Sequence, residues 1–250
     1  MQTISNNNIV DVITMGRSSI DLYSQNVGAE FEDIKGFDAY VGGSPLNIAV
    51  GCSRLGMNAA LLTAVGEDKI GDFILSFLRK EHVNVDYIPK LQNARTSAVV
   101  LGIQPPDKFP LVFYRDNCAD NKITVDHVDK ANIAGSRLLE ISGTALNVEP
   151  TRSAVFHAVE LANKHKVPVL LDLDFRADQW QDVRSFGLMT RSILPKTTIA
   201  IGTEEEILAT MLHSSEQVTI KDQQISAPEI KGDLPLAIAE ILSLGVKTLI

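Results

Sequence analysis

The sequence predicts a three-layer αβα fold, a parallel sheet covered by helices, with a small β lid. Two observations carry that prediction. Apolar runs of strand length alternate with longer segments of helical period, the pattern of successive βαβ units. Two stretches then break the alternation with period-two patterning, as hairpin strands outside the main sheet would.

Taken in order, a first strand is expected over 9–15. A helix over 45–55 carries Leu46, Ala49, Val50 and Leu55 at helical spacing and stops at Gly56. A strand follows over 59–65. Asp68 is placed to cap the next helix, because its carboxylate can accept the unpaired N–H groups of the first turn. Ile70, Phe73, Ile74, Phe77 and Leu78 follow at helical spacing, up to about Glu81. Strands over 137–141, 168–173, 198–201 and 248–250 then alternate with helices over 151–165, 185–194, 204–212 and 234–244.

The two exceptions are 31–41 and 97–114. In the second, Val99, Leu101 and Ile103, then Leu111 and Phe113, alternate around a Pro-Pro turn. Lid strands are therefore expected at about 31–44 and 96–115. An insertion across the carboxyl end of a parallel sheet sits where such sheets bind ligands, hence the lid.

The 250 residues are 45% hydrophobic, enough for a substantial core in one large domain or two small ones, and are read as a single domain spanning 1–250. With 31 acidic against 23 basic residues the net charge is -8, and no Lys/Arg stripe offers the phosphate contacts that nucleic acid needs. Cys52 and Cys118 are too few for a disulfide framework or a zinc site, which points to a reducing cytoplasm. Residues 1–8 are polar, and no apolar run reaches the roughly 18 residues of a spanning helix, so neither a signal peptide nor a membrane partner is expected. The last residues, Leu249 and Ile250, fall inside a strand pattern, so the 250 residues are expected to be a fragment of a longer chain.

The most specific motif is Gly42-Gly43-Ser44-Pro45-Leu46-Asn47-Ile48-Ala49, followed by Leu55-Gly56. Paired glycines ahead of a helix let backbone approach a ligand, Pro45 suits the first turn, and Asn47 can hold a hydroxyl. Taken alone, the same residues also describe a plain turn into a packed helix. The motif resembles the N-terminal signature of ribokinase-like (PfkB) carbohydrate kinases. Gly16 with Asp21, and Gly66-Glu67-Asp68-Lys69-Ile70-Gly71-Asp72, are similar to further segments of that family. The resemblance implies a ribokinase-like, Rossmann-like sheet and an ATP-dependent sugar kinase using Mg2+.

It also implies a substrate site. Asp21 resembles the carboxylate that grips sugar hydroxyls, where a charged acceptor strengthens each hydrogen bond; the plain alternative is a solvated loop aspartate. Gly42, Gly43 and Asn47 would line the same pocket. Phe113-Tyr114-Arg115 and Asp172-Leu173-Asp174-Phe175-Arg176, with Trp180 beyond, resemble the branch acting on keto-deoxy sugar acids. There Arg115 and Arg176 would help to hold the substrate, since a guanidinium fork matches a carboxylate. The alternative is pairing with local aspartates such as Asp116, Asp174 or Asp178. Within the branch, Arg115 to Asp120, Asp172 to Arg176 and Ile201 to Glu206 look most like the kinases of 5-dehydro-2-deoxygluconate in inositol breakdown, with 2-keto-3-deoxygluconate kinases the alternative.

Thr203-x-x-Glu206 sits where relatives have Asn-x-x-Glu, linked to magnesium and phosphate, so Glu206 could act on Mg2+ through water. Equally, Glu204, Glu205 and Glu206 open a helix, where negative charge meets the positive dipole end. The family's Asp-Thr-x-Gly-Ala-Gly-Asp segment, which carries the catalytic base and an anion hole, does not occur in residues 1–250. The base is therefore expected beyond Ile250 and these 250 residues alone are expected to be inactive. A non-catalytic sugar-acid-binding protein is the reading from another class. A dinucleotide oxidoreductase is set aside, because Gly16-Arg17-Ser18-Ser19-Ile20-Asp21 lacks the Gly-x-Gly-x-x-Gly turn. Lid strands of relatives often pair between subunits, so a homodimer is the expected partner arrangement.

Overall fold

The computed structural model describes residues 10–106, 108–219 and 228–250. In chain order the strands are β1 Val12–Met15, β2 Ser19–Ser24, β3 Phe37–Gly42, β4 Ala59–Leu62, β5 Val65–Gly66, β6 Lys90–Leu91 and β7 Ser97–Leu101. They continue as β8 Leu111–Tyr114, β9 Leu139–Ser142, β10 Val169–Asp172, β11 Ile199–Ile201, β12 Val218–Thr219, β13 Glu229–Ile230 and β14 Thr248–Leu249. The helices are α1 Ser44–Arg54, α2 Lys69–Lys80, α3 Val125–Asp129, α4 Thr151–Lys164, α5 Val183–Ile193, α6 Glu204–Thr210 and α7 Leu234–Ser243.

The main sheet runs β14-β11-β10-β9-β1-β4 and every pairing in it is parallel. Its strands are short and apolar because both faces are covered. On one face Ile13, Met15, Leu139, Ile141, Val169 and Leu171 pack with Ala154, Val155, Ala158, Val159 and Ala162 of α4 and with Phe186 of α5. On the other, Val12, Ala59 and Leu61 pack with Leu46, Ala49 and Val50 of α1 and with Ile74, Leu75 and Leu78 of α2. The helices wear their apolar residues at intervals of three and four, so one stripe of each meets the sheet. Asp68 caps α2, accepting from the Gly71 N–H at 2.8 Å.

A second sheet, β3-β2-β7-β8, stands outside the first. Within it β2 pairs antiparallel with β3 and parallel with β7, and β7 and β8 form an antiparallel hairpin. Three elements differ from expectation. Residues 19–24, to which the sequence assigns no element, form β2, an inner strand of the lid sheet. Residues 31–33 make a 3-10 turn, and the lid strand starts only at Phe37. The strand expected over 59–65 breaks after Leu62; Val65 and Gly66 pair instead with Lys90 and Leu91. The break falls where Leu62 gives its carbonyl to the Gly16 N–H (3.2 Å) and Thr63 meets the Ser18 hydroxyl (3.2 Å), so the chain there is tied to the turn after β1. The expected strand start at Ile9 and the polar segment 1–8 lie outside the described residues.

Candidate active site at the switch point of the sheet

From β1 the chain moves to β4 on one side, and from β9 onward it builds the other side. The connections after β1 and β9 therefore part from one another, and a crevice opens between them at the carboxyl ends of the strands. The lid sheet rises directly from this point, since only three residues, Gly16, Arg17 and Ser18, separate β1 from β2.

A cavity of about 450 Å³ occupies the crevice, lined by Arg17, Asp21, Gly43, Ser44, Asn47, Ile48 and Arg176. Asp21 stands on β2 opposite Tyr40 and Val99. Its Oδ1 accepts from the Ser19 hydroxyl at 2.7 Å. Burial pushes its carboxyl up from the usual range, while that hydrogen bond and Arg17 hold it back. The paired glycines are required for two different reasons. A Cβ on Gly42 would lie 2.0 Å from Asp21 Oδ2, so Asp21 can occupy its place only against a bare Cα. Gly43 has φ +107°, open to glycine, and a Cβ there would meet the Arg17 carbonyl at 2.4 Å. Asn47 is exposed on the rim, one helical turn beyond Gly43.

The ends of β9 and β10 supply a charged network. Asp174, 2% exposed, accepts from Ser142 Oγ at 2.9 Å and Thr144 Oγ1 at 3.0 Å. Burial pushes its carboxyl up, but Arg176, Arg17 and those two hydroxyls outweigh it and hold the group below the usual carboxylate range. Its backbone sits at φ +38°, a strained conformation for a residue with a side chain. Arg176 lies 2.8 Å from Asp174 and 3.4 Å from Glu206. Asp172 accepts from the Ser44 hydroxyl at the start of α1, and burial with the neighbouring Asp174 charge pushes it up to about 6.

Of the residues singled out in the sequence, Asp21, Gly43, Asn47 and Arg176 line one cavity, with Gly42 directly behind Asp21. Arg115 opens instead onto a neighbouring cavity of about 550 Å³, with Phe113, Asn117, Asn147, Gln179 and Trp180. It is 5% exposed and bonded to Asp120 Oδ2 at 2.7 Å, Gln179 Oε1 at 2.6 Å and the Thr144 carbonyl at 3.3 Å. Its acidic partner is thus Asp120, not one of the three aspartates named from the sequence. Glu206 has both oxygens engaged within the chain: Oε1 accepts from the Phe175 N–H (3.1 Å) and faces Arg176, and Oε2 accepts from the Thr203 N–H (2.9 Å). With the Thr203 hydroxyl accepting from the Glu206 N–H (3.3 Å), this is a capping box at the start of α6. Among the described residues no group of three His, Cys, Asp or Glu side chains could hold a metal ion. No helix among them is long and apolar enough to cross a membrane.

Sequence reading missed Arg17, Ser44 and Glu140. Arg17 was visible only as a charged residue directly after the first parallel strand, a position that faces the crevice in such sheets. Glu140 stood inside an apolar strand, where an ionisable side chain is itself a signal.

A parallel αβα sheet with a smaller β sheet beside its switch point, and a polar pocket between the two, define a class of α/β proteins with a small-molecule crevice at the carboxyl ends of their strands. This chain belongs to that class as a member of the pfkB family of carbohydrate kinases, whose profile matches residues 10–235. Among its relatives is a 5-dehydro-2-deoxygluconokinase from Bacillus thuringiensis (strain Al Hakam), 37% identical over 216 residues, a match covering 84% of this chain. The chain spans 65% of that relative's length. Of solved structures, a putative ribokinase II from E. coli (apo form) matches with a TM-score of 0.80 at 22% identity, over 96% of this chain and 71% of that one. An uncharacterized sugar kinase from Pyrococcus horikoshii in complex with ATP matches with a TM-score of 0.70 at 26% identity, over 79% of this chain and 64% of that one.

Proposed function

We propose that the complete protein phosphorylates 5-dehydro-2-deoxy-D-gluconate with ATP in the cytoplasm, and that the cavity around Asp21 holds the sugar acid. The observation that supports this most is the pairing of one hydroxyl acceptor, Asp21, with guanidinium groups in a cavity at the switch point, in a chain whose relatives are named for that activity. Asp21 would accept hydrogen bonds from sugar hydroxyls, with Gly42, Gly43 and Asn47 forming the wall beside it, Arg176 contacting the substrate from the same cavity and Arg115 from the neighbouring one. The terminal hydroxyl attacks the γ-phosphorus of ATP, the bond to the β–γ bridging oxygen breaks and ADP leaves. No residue of 1–250 is assigned as the base that takes the hydroxyl proton. Magnesium, arriving with ATP, would supply charge neutralisation. Glu206, with both oxygens engaged, we take to position Arg176.

A coupled ADP-release assay of the complete protein against a panel of sugar acids and neutral sugars tests the reading. Fastest turnover of 5-dehydro-2-deoxygluconate is expected; fastest turnover of 2-keto-3-deoxygluconate would move the substrate within the same class. Saturable binding of the acid without any ADP release would move the protein to non-catalytic binding. We also propose a homodimer through the lid, because among the described residues β3 and β8 are the outer strands of their sheet and β8 carries Val112 and Tyr114, 43% and 61% exposed. A monomer by light scattering at micromolar concentration would refute that arrangement.

A further inference from the structure

Three guanidinium groups converge beside the carboxyl ends of the strands, and their charges are balanced very unequally. Arg115 has Asp120 at 2.7 Å, and Arg176 has Asp174 at 2.8 Å and Glu206 at 3.4 Å. Arg17 is as deeply placed, 6% exposed, yet among the described residues it takes part in no ion pair and its Nε has no hydrogen-bond partner. Its close companion is the Phe113 ring, with Cζ 5.2 Å from the centroid. A ring stabilises the cation but satisfies none of the donors in the guanidinium fork. Asp174 and Asp21 favour the cation from a distance, Arg115 and Arg176 oppose it, and neither carboxylate comes within ion-pair reach.

The first turn of α1 points the same way. Gly43 at its N-cap provides no side-chain cap and α1 has no acidic residue of its own in the first turn, where the one neighbouring carboxylate described, Asp172, is held by the Ser44 hydroxyl. Gly43 and Ser44 line the same cavity as Arg17, which places the positive end of the helix beside it. Asp21 also lines this cavity and would repel an anion, so hydroxyls belong near Asp21 and negative charge near Arg17.

We infer that Arg17, with the first turn of α1, forms the subsite for the substrate's carboxylate, so that preference for acids over neutral sugars rests on Arg17 and not on Arg115 or Arg176. The inference rests on the sugar-acid reading above and names the residue that makes the selection.

Calorimetry with two probes tests it: 5-dehydro-2-deoxy-D-gluconate, and the neutral alcohol with CH2OH in place of its carboxylate. The wild-type protein is expected to bind the acid about 30-fold more tightly, the worth of one charged, hydrogen-bonded contact. Arg17→Gln should remove most of that preference while leaving the alcohol within about threefold, and Arg17→Lys should fall between, keeping charge but losing the fork. Equal affinity of the wild type for the two probes overturns the subsite without recourse to any variant. So does an Arg17→Gln protein that weakens both probes alike, or an Arg176→Gln protein that loses the preference where Arg17→Gln keeps it. If the wild type binds neither probe, the sugar-acid reading falls and the subsite with it; if it binds the acid independently of Arg17, only the subsite falls.

Discussion

Glu140 sits in the middle of β9, paired on one side with Thr14 of β1 and on the other with Leu170 of β10, and is 1% exposed. Neither of its carboxyl oxygens has a hydrogen-bond partner in good geometry. Burial pushes its carboxyl well above the ordinary value of 4.5, Asp172 and Asp174 add to the push, and the nearby Met15 N–H offsets only a little of it. The folded protein therefore keeps a proton that the unfolded chain gives up. Stability from this group is fully present below the ordinary value and is lost as pH rises from there towards the folded value. One proton corresponds to about 1.4 kcal/mol per pH unit, a ceiling of about 2.7 kcal/mol between pH 5 and 7. Glu140→Gln has nearly the same shape and no proton to lose. It should match the wild type below about pH 4.5 and exceed it increasingly above. Asp172, pushed up to about 6, titrates in both proteins and largely cancels in the difference. Urea unfolding from pH 5 to 7 measures this through Trp180, the single tryptophan, 7% exposed and edge-on to Phe186 at 5.6 Å. Parallel stability curves for the two proteins would refute the reasoning.

Asp120→Ala strands the buried Arg115 guanidinium and should cost about 3–5 kcal/mol in the same unfolding assay, most of it recovered when Arg115→Met is added. Asp68→Ala removes the cap of α2 together with the bonds from the Thr96 N–H (2.9 Å) and Thr96 Oγ1 (2.8 Å), a loss of about 2 kcal/mol at neutral pH. Burial pushes the Asp68 carboxyl up, but those bonds outweigh it and hold the group below its ordinary 3.8, so the gap to wild type should close as acid protonates it. Gly42→Ala sets a methyl group where Asp21 Oδ2 stands, and calorimetry with the sugar acid should show it weakening binding about as much as Asp21→Ala, by about 10-fold or more.

The layered sheet was legible because its strands are buried on both faces, so Ala59, Ala60, Leu61 and Leu62 read as an unbroken apolar run. Asp68 was legible as a cap because the signal is local, a carboxylate one residue ahead of a helical pattern. β2 was harder. Ser19, Ile20, Asp21, Leu22, Tyr23 and Ser24 do alternate, but the strand starts so soon after β1 that it reads as the loop leaving it. The arginines show the deeper limit. Residue type gave Arg115 and Arg176 the right chemistry for a carboxylate, but their ion pairs depend on where β10, α6 and the turn at Asp120 come to rest. What distinguishes Arg17 is the partner it lacks, and a missing partner exists only in three dimensions.

Glu206 grips the loop after β10 with one oxygen and the first turn of α6 with the other, while Arg176 leans on it from the cavity. The pocket floor and the helix behind it thus share a single fastener. Loss of the Glu206 carboxylate would leave the Phe175 and Thr203 N–H groups and one side of the Arg176 guanidinium without their acceptor at a single stroke.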